Sequence, residues 1–255
     1  MESDSTSERQ ARILRSARAI IESSGNFDLP MRELAAHAQV SLGAPYELFG
    51  SKNGVVQAIL LEDIARFRTV LGTPRETNRL EYLFERLGKG IEFYRANQPF
   101  YRALSRAERA GTPSATSEAE RRGLATRRAD CEVLLAQGAL LAGVDLEELA
   151  RSLNALFYAA MRDWAFDTYD IDRAQHRIAF GWSMLYAGAA PDEVARNLRK
   201  RAQRHARALR RIDSATAKAR SAGETREGAA SKTQPNKTQL NKRQPKKRSK
   251  GRPAG

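Results

Sequence analysis

The sequence predicts an all-α protein, and three observations carry that prediction. Apolar side chains recur at three- and four-residue spacing in ten successive stretches. No stretch alternates with period two for long enough to make a strand. Each stretch is closed by glycine, proline, serine or asparagine punctuation. The expected organisation is a three-helix unit of helix-turn-helix form within residues 1–72, a larger helical unit over 73–212, and a basic, disordered tail over 213–255.

The first helix is set by Ile13, Leu14, Ala17, Ile20 and Ile21 and ends near Ser23-Ser24-Gly25. Pro30 suits the first position of a second helix, Met31 to about Ala38, with Leu34, Ala35 and Ala38 turned inward. Gln39-Val40 is the turn. The stretch Ser41-Leu42-Gly43-Ala44-Pro45-Tyr46-Glu47-Leu48-Phe49-Gly50 is too short and too punctuated for a core helix. Ser41 is placed to cap it, and Pro45 lies near enough to its start for the lost amide to cost little. Ser51 is placed to cap a fourth helix carrying Val55, Ile59, Leu60, Ile64 and Phe67, with Lys52 in its first turn. A short helix held between longer ones is how a helix-turn-helix offers side chains to a DNA groove.

The chain has 255 residues, enough for one or two domains with a buried core, and a net charge of +14. The charge is uneven. Residues 1–72 hold 8 basic and 9 acidic side chains, 73–190 hold 16 of each, 191–212 hold 8 and 2, and 213–255 hold 12 and 3. The positive excess is C-terminal, so charge alone does not single out the short helix. Cys131 is the only cysteine, which excludes an intrachain disulfide. Met1-Glu2-Ser3-Asp4-Ser5 is unlike a secretory signal, and no apolar run has transmembrane length, so a cytoplasmic protein with no membrane partner is expected.

Arg32-Glu33-Leu34-Ala35, Val40-Ser41, Gly43, Tyr46, Phe49 and Lys52 together resemble the DNA-binding domain of TetR-type (TetR/AcrR family) transcriptional regulators. The resemblance covers about 45 residues, in unbroken order. It implies double-stranded DNA as partner, with Tyr46 and Lys52 on phosphates, residues 42 to 47 facing base edges, and Arg32, Ser41, Leu42, Gly43, Ala44 and Glu47 completing the interface. The chain departs from the family pattern at Gln39, where a turn glycine is usual, at Ala44, where threonine is usual, and at Leu48, where histidine is common. Other readings stand beside these. Tyr46 is also suited to pinning the short helix to its neighbours, Lys52 and Glu47 to simple solvation, and His37 to an ordinary surface position. A base-edge role would have Glu47 accept from a cytosine amino group, and Leu42 and Ala44 meet thymine methyls.

After Thr73-Pro74, helices are expected from Leu80 to near Asn97-Gln98-Pro99, from Phe100 through Leu104 to a stop at Ala110-Gly111-Thr112-Pro113, over about Ser117 to Ala142, over Leu146 to about Thr168 and over about Ile171 to Ala187. The last two are apolar on more than one side and must be buried on more than one side. Both sides could belong to one core; the resemblance instead implies that this pair makes a homodimer interface, and a two-fold dimer fits a near-palindromic operator. The resemblance further implies a small-molecule effector, with Phe93, Phe157, Met161 and Trp164 as candidate lining residues that plain core packing would equally explain. This apolar and aromatic supply points to a hydrophobic or aromatic effector.

A last helix, Pro191 to about Ile212, carries an apolar stripe and eight cations. The tail beyond has one large aliphatic residue, Leu240, and no aromatic one, too little to offset ordering entropy. Lys246, Lys247, Arg248, Lys250 and Arg252 resemble an AT-hook around Gly251-Arg252-Pro253 and are candidates for nonspecific DNA contact. No catalytic constellation, phosphate loop or metal-ligand spacing is present, and His37, His176 and His205 fall on separate helices, so neither an enzyme nor a resident cofactor is expected. The reading is a ligand-responsive transcriptional regulator, most naturally a repressor. The alternative is an architectural nucleic-acid-binding protein acting through its tail.

Overall fold

A computed structural model describes the backbone over residues 5–72, 78–109 and 115–231, and side chains over 5–72, 78–106 and 120–219. Among the described residues there are ten α-helices and no strand. Residues up to Arg210 form one compact unit and those from Arg211 a second. No described helix is long and apolar enough to cross a membrane.

Helix α1 (Thr6–Ser24) opens on a capping box in which Ser5 Oγ accepts from the Glu8 amide and the Glu8 carboxylate accepts from the Ser5 amide. It buries Ile13, Ala17 and Ile21 and closes at Gly25. Pro30 sits just outside α2 (Met31–His37), at its cap rather than its first turn, and its carbonyl accepts the Leu34 amide. After α2 the chain makes a Schellman turn: the Val40 amide donates to Ala35 and the Gln39 amide to Ala36. That turn puts Gln39 at φ 55°, the left-handed region where a Cβ is penalised.

Helix α3 (Ala44–Phe49) is only six residues long and depends on its flanks. Gly43, not Ser41, is its cap; Ser41 contributes only its backbone carbonyl, which accepts the Ala44 amide at 3.1 Å. Ser51 caps α4 (Lys52–Leu71) as expected, accepting the Gly54 amide at 3.0 Å. Between them the backbones approach so closely that a Cβ on Gly54 would lie 1.9 Å from the Phe49 carbonyl oxygen. Only glycine fits there, and this contact sets the angle of α3 on α4.

Helices α5 (Arg79–Ala96), α6 (Gln98–Arg109), α7 (Ala115–Ala136), α8 (Leu146–Ala165) and α9 (Ile171–Ala189) complete the core. Helix α7 ends at Ala136 instead of near Ala142, because Gly138, at φ 68°, closes it with a second Schellman turn in which the Ala139 amide donates to Leu134. Helices α8 and α9 meet where a Cβ on Gly181 would strike Leu156 Cδ1 at 2.3 Å. Phe67, Phe93, Tyr94, Tyr101 and Trp164 form a run of tilted and edge-on rings joining α4, α5, α6 and α8. Asp63 on α4 is buried and accepts from Arg18 on α1 at 2.9 Å, with the Arg18 guanidinium 4.1 Å above the Phe100 ring of α6.

Helix α10 (Asp192–Ser231) passes the expected end near Ile212. The reason is local: residues 213–231 contain no proline, and eleven of the nineteen, six of them alanine, are alanine, lysine, arginine or glutamate, which are good helix formers. His205 on α10 meets His176 on α9, with 3.0 Å between the two Nδ1 atoms. One ring must donate and the other accept, so at least one is neutral. Burial, then His176, Arg201 and Arg204, push His205 down to about 4.

Gly54→Ala is expected to destabilise the protein by about 2 kcal/mol or more, whereas Gln39→Gly is expected to stabilise it by about 0.5–1 kcal/mol, both measured by urea unfolding. The unfolded chain protonates His205 near its ordinary 6.5 while the native state holds it neutral down to about 4. Stability is therefore expected to fall as pH drops through that window, and His205→Gln to remove that part of the decline in unfolding measured across the pH series.

Candidate nucleic-acid interface and effector cavity

The outer side of the α2–α3 turn is built by subtraction. Leu34, Ala35, Ala44 and Pro45 face inward, and Val40, Leu48 and Phe49 pack against the core at its edge. What remains outside is Ser41, Leu42 at 53% exposure, Gly43, Tyr46 at 48% and Glu47, with Arg32 exposed on α2. Ala44, expected among the base-facing residues, is 3% exposed and is corrected to a packing residue: its methyl seats α3 on the bundle. Glu47 folds back over Gly43, its Oε1 lying 3.2 Å from where a Gly43 Cβ would be. A carboxylate at the first turn of a helix complements the free amides there.

Lys52 is half-exposed and forms an ion pair with Asp28 in the loop before α2. The Arg12 Nε donates to the Ala38 carbonyl at 3.3 Å, tying α1 to the end of α2. The exposed part of α3 carries no cation, so its surface is shaped more by Leu42 and Tyr46 than by charge. His37 is exposed. The tail candidates Lys246, Lys247, Arg248, Lys250 and Arg252 lie outside the described residues.

A cavity of about 680 Å³ opens among α4, α5, α7, α8 and α9. Of the four residues expected to line a pocket, Phe157 does so. Phe93 is instead packed on Phe67 with ring centroids 5.0 Å apart, Met161 is buried, and Trp164 is fully buried with its indole N–H donating to Gln98 at 3.3 Å. Met161 and Trp164 belong to the buried core, and Phe93 packs half-buried against it. The sequence did not reveal Trp182, Tyr94, Arg127, Arg86 or Asn154, which come to the cavity from four helices. No local spacing joins them. The one usable signal was the second apolar side of α9, which includes Trp182.

The cavity's electrostatics are set by Asp130 beside it, 1% exposed, which accepts from Arg79 at 2.7 Å and Arg86 at 2.5 Å. Arg127 lies over the rings of Trp182 and Phe157, 4.4 Å and 5.4 Å from their centroids, and burial pushes its guanidinium down to about 10. Cys131 is buried, which pushes its thiol up to about 11 and leaves little thiolate at neutral pH. Among the described residues no group of three or more His, Cys, Asp or Glu side chains converges as a metal site.

No protein-family model matches this chain, and no curated protein matches it by sequence. Solved structures do match. One is SmeT, described as the repressor of the Stenotrophomonas maltophilia multidrug efflux pump SmeDEF: 18% identity, TM-score 0.61, covering 72% of this chain and 92% of that one. Another is CprB, a TetR family protein from S. coelicolor A3(2): 22% identity, TM-score 0.58, covering 78% and 97%. A third is a TetR transcription regulator from Haloarcula marismortui: 18% identity, TM-score 0.61, covering 72% and 100%. The ten helices described here thus have the fold of the TetR-family transcriptional regulators.

Proposed function

We propose that the protein is a DNA-binding transcriptional regulator, a ligand-responsive repressor that binds a near-palindromic operator as a homodimer. The observation that carries this reading is the α2–turn–α3 surface, on which Leu42 and Tyr46 are large and exposed, on a chain whose fold is that of TetR regulators. The repressor sense takes support from SmeT, which is described as a repressor. The cavity suits a small-molecule effector in size and apolar character. Residues 1–72 are read as the DNA-binding unit and 73–212 as the effector and dimerisation unit. On this reading the chain is a binder and not an enzyme.

Tyr46 and Lys52 hold phosphates, and Arg32, Ser41, Leu42, Gly43 and Glu47 adjoin the groove. Lys52 exchanges Asp28 for phosphate on binding; the existing pair is exposed and so costs little to break. The dimer forms through α8 and α9. In support, Phe180 and Met184 on α9 are large, apolar and exposed, Met184 at 47%, one turn apart on the same side. A two-fold pair would place its α3 helices about 34–36 Å apart, one turn of DNA.

Selection from random duplexes at near-physiological salt tests the reading, using the full chain and residues 1–231. Both are expected to enrich the same near-palindrome; enrichment of nothing by either would instead favour the architectural alternative acting through the tail. Tyr46→Ala and Lys52→Ala are each expected to weaken operator binding about tenfold, with Lys52→Ala lowering the salt slope by about one. Asp28→Asn is expected to tighten it up to about fivefold by releasing Lys52. Met184→Asp is expected to shift the protein towards monomer in sedimentation and to weaken operator binding in parallel.

A further inference from the structure

We propose that the cavity takes an amphipathic organic anion, an apolar or aromatic body bearing one carboxylate, and that Arg127 receives the carboxylate. This rests on reading the cavity as an effector site and names the class of effector. The first support is the inventory of charge. Four arginines line the cavity, Arg68, Arg86, Arg122 and Arg127, and among the described residues no aspartate or glutamate does. The remaining wall is largely leucine, isoleucine and aromatic side chains. A neutral hydrophobic ligand would not require that excess of cations.

The second support is the difference between Arg86 and Arg127. Arg86 is committed to Asp130 at 2.5 Å. Arg127 has no carboxylate within ion-pair reach among the described residues, and its Nε is buried with no hydrogen-bond partner. Its contacts are with the faces of Trp182 and Phe157, and the charge of Asp130, already shared by Arg79 and Arg86, reaches it only at longer range. Cation–π contacts offset only part of the cost of removing a guanidinium from water, and an anion on its remaining donors would offset more. Stacking also fixes the plane of the guanidinium, which favours the two-pronged geometry of a carboxylate. A doubly charged phosphate would call for a second uncommitted cation in the partly buried wall. Arg86 is not available for that, and Arg68 and Arg122 are exposed.

Calorimetry of the full chain with 2-naphthoate and with 2-naphthamide, alike in shape and different in charge, tests the proposal. The wild type is expected to bind the acid at least about tenfold more tightly than the amide. Arg127→Met is expected to erase that preference by weakening the acid, leaving the amide within about twofold. Asn154→Asp, nearly equal in volume and lining the same cavity, is expected to weaken the acid alone, and it carries the test if Arg127→Met does not melt cooperatively. Equal binding of acid and amide by the wild type, or a preference that survives both substitutions, overturns the anion assignment and leaves the cavity as a neutral-ligand site. Binding of neither probe by protein with intact operator binding overturns the effector-cavity reading, and this inference with it.

Discussion

Asp63 is the constraint on which the mutual arrangement of α1, α4 and α6 depends. It is a carboxylate on α4, buried among apolar neighbours, and such a group is tolerated only when paired. Its partners are Arg18 on α1 and the hydroxyl of Tyr101 on α6, which burial and the bond to Asp63 keep firmly protonated. One residue therefore fixes three helices by an electrostatic requirement. Hydrophobic contacts alone would let them slide; a buried charge with directional partners does not.

Helix α4 connects the two candidate sites physically. Its first turn, through Ser51 and Gly54, fixes α3, and its later turns, with Leu60, Ile64 and Phe67, form one side of the cavity. The same helix thus borders the cavity along its later turns and holds α3 at its first. The close approach of Gly54 to Phe49 leaves little slack between α3 and α4. The arginines follow a related economy. Asp130 consumes Arg79 and Arg86, and Arg127, one turn from Asp130, is left to aromatic faces.

The order of helices, the short α3, the Ser51 cap and the inward side of α1 were legible in sequence because they arise from contacts three or four residues apart. The end of α7 was missed because Leu140 and Leu141 continue the apolar pattern past Gly138, and the pattern outweighed the glycine. Leu141 instead lies outside the helix, its amide donating to Ala189 at 2.8 Å. The end of α10 was missed for the opposite reason: the apolar stripe stops near Ile212, but helix propensity does not. Ala44 illustrates a further limit. Its place in the short helix was read correctly, but which way a six-residue helix turns depends on what it packs against.

The sequence by itself determined that the chain is helical, where most helices begin and end, and that a turn and short helix lie at residues 39–49. Those are local properties, set by periodicity, capping and backbone stiffness. Only the tertiary structure decided which aromatic residues line the cavity, that His176 meets His205, and that Lys52 is held by Asp28 while Arg127 has no ion-pair partner among the described residues. Such pairings join residues far apart in the chain, and their energies depend on burial and on which neighbours already hold a charge.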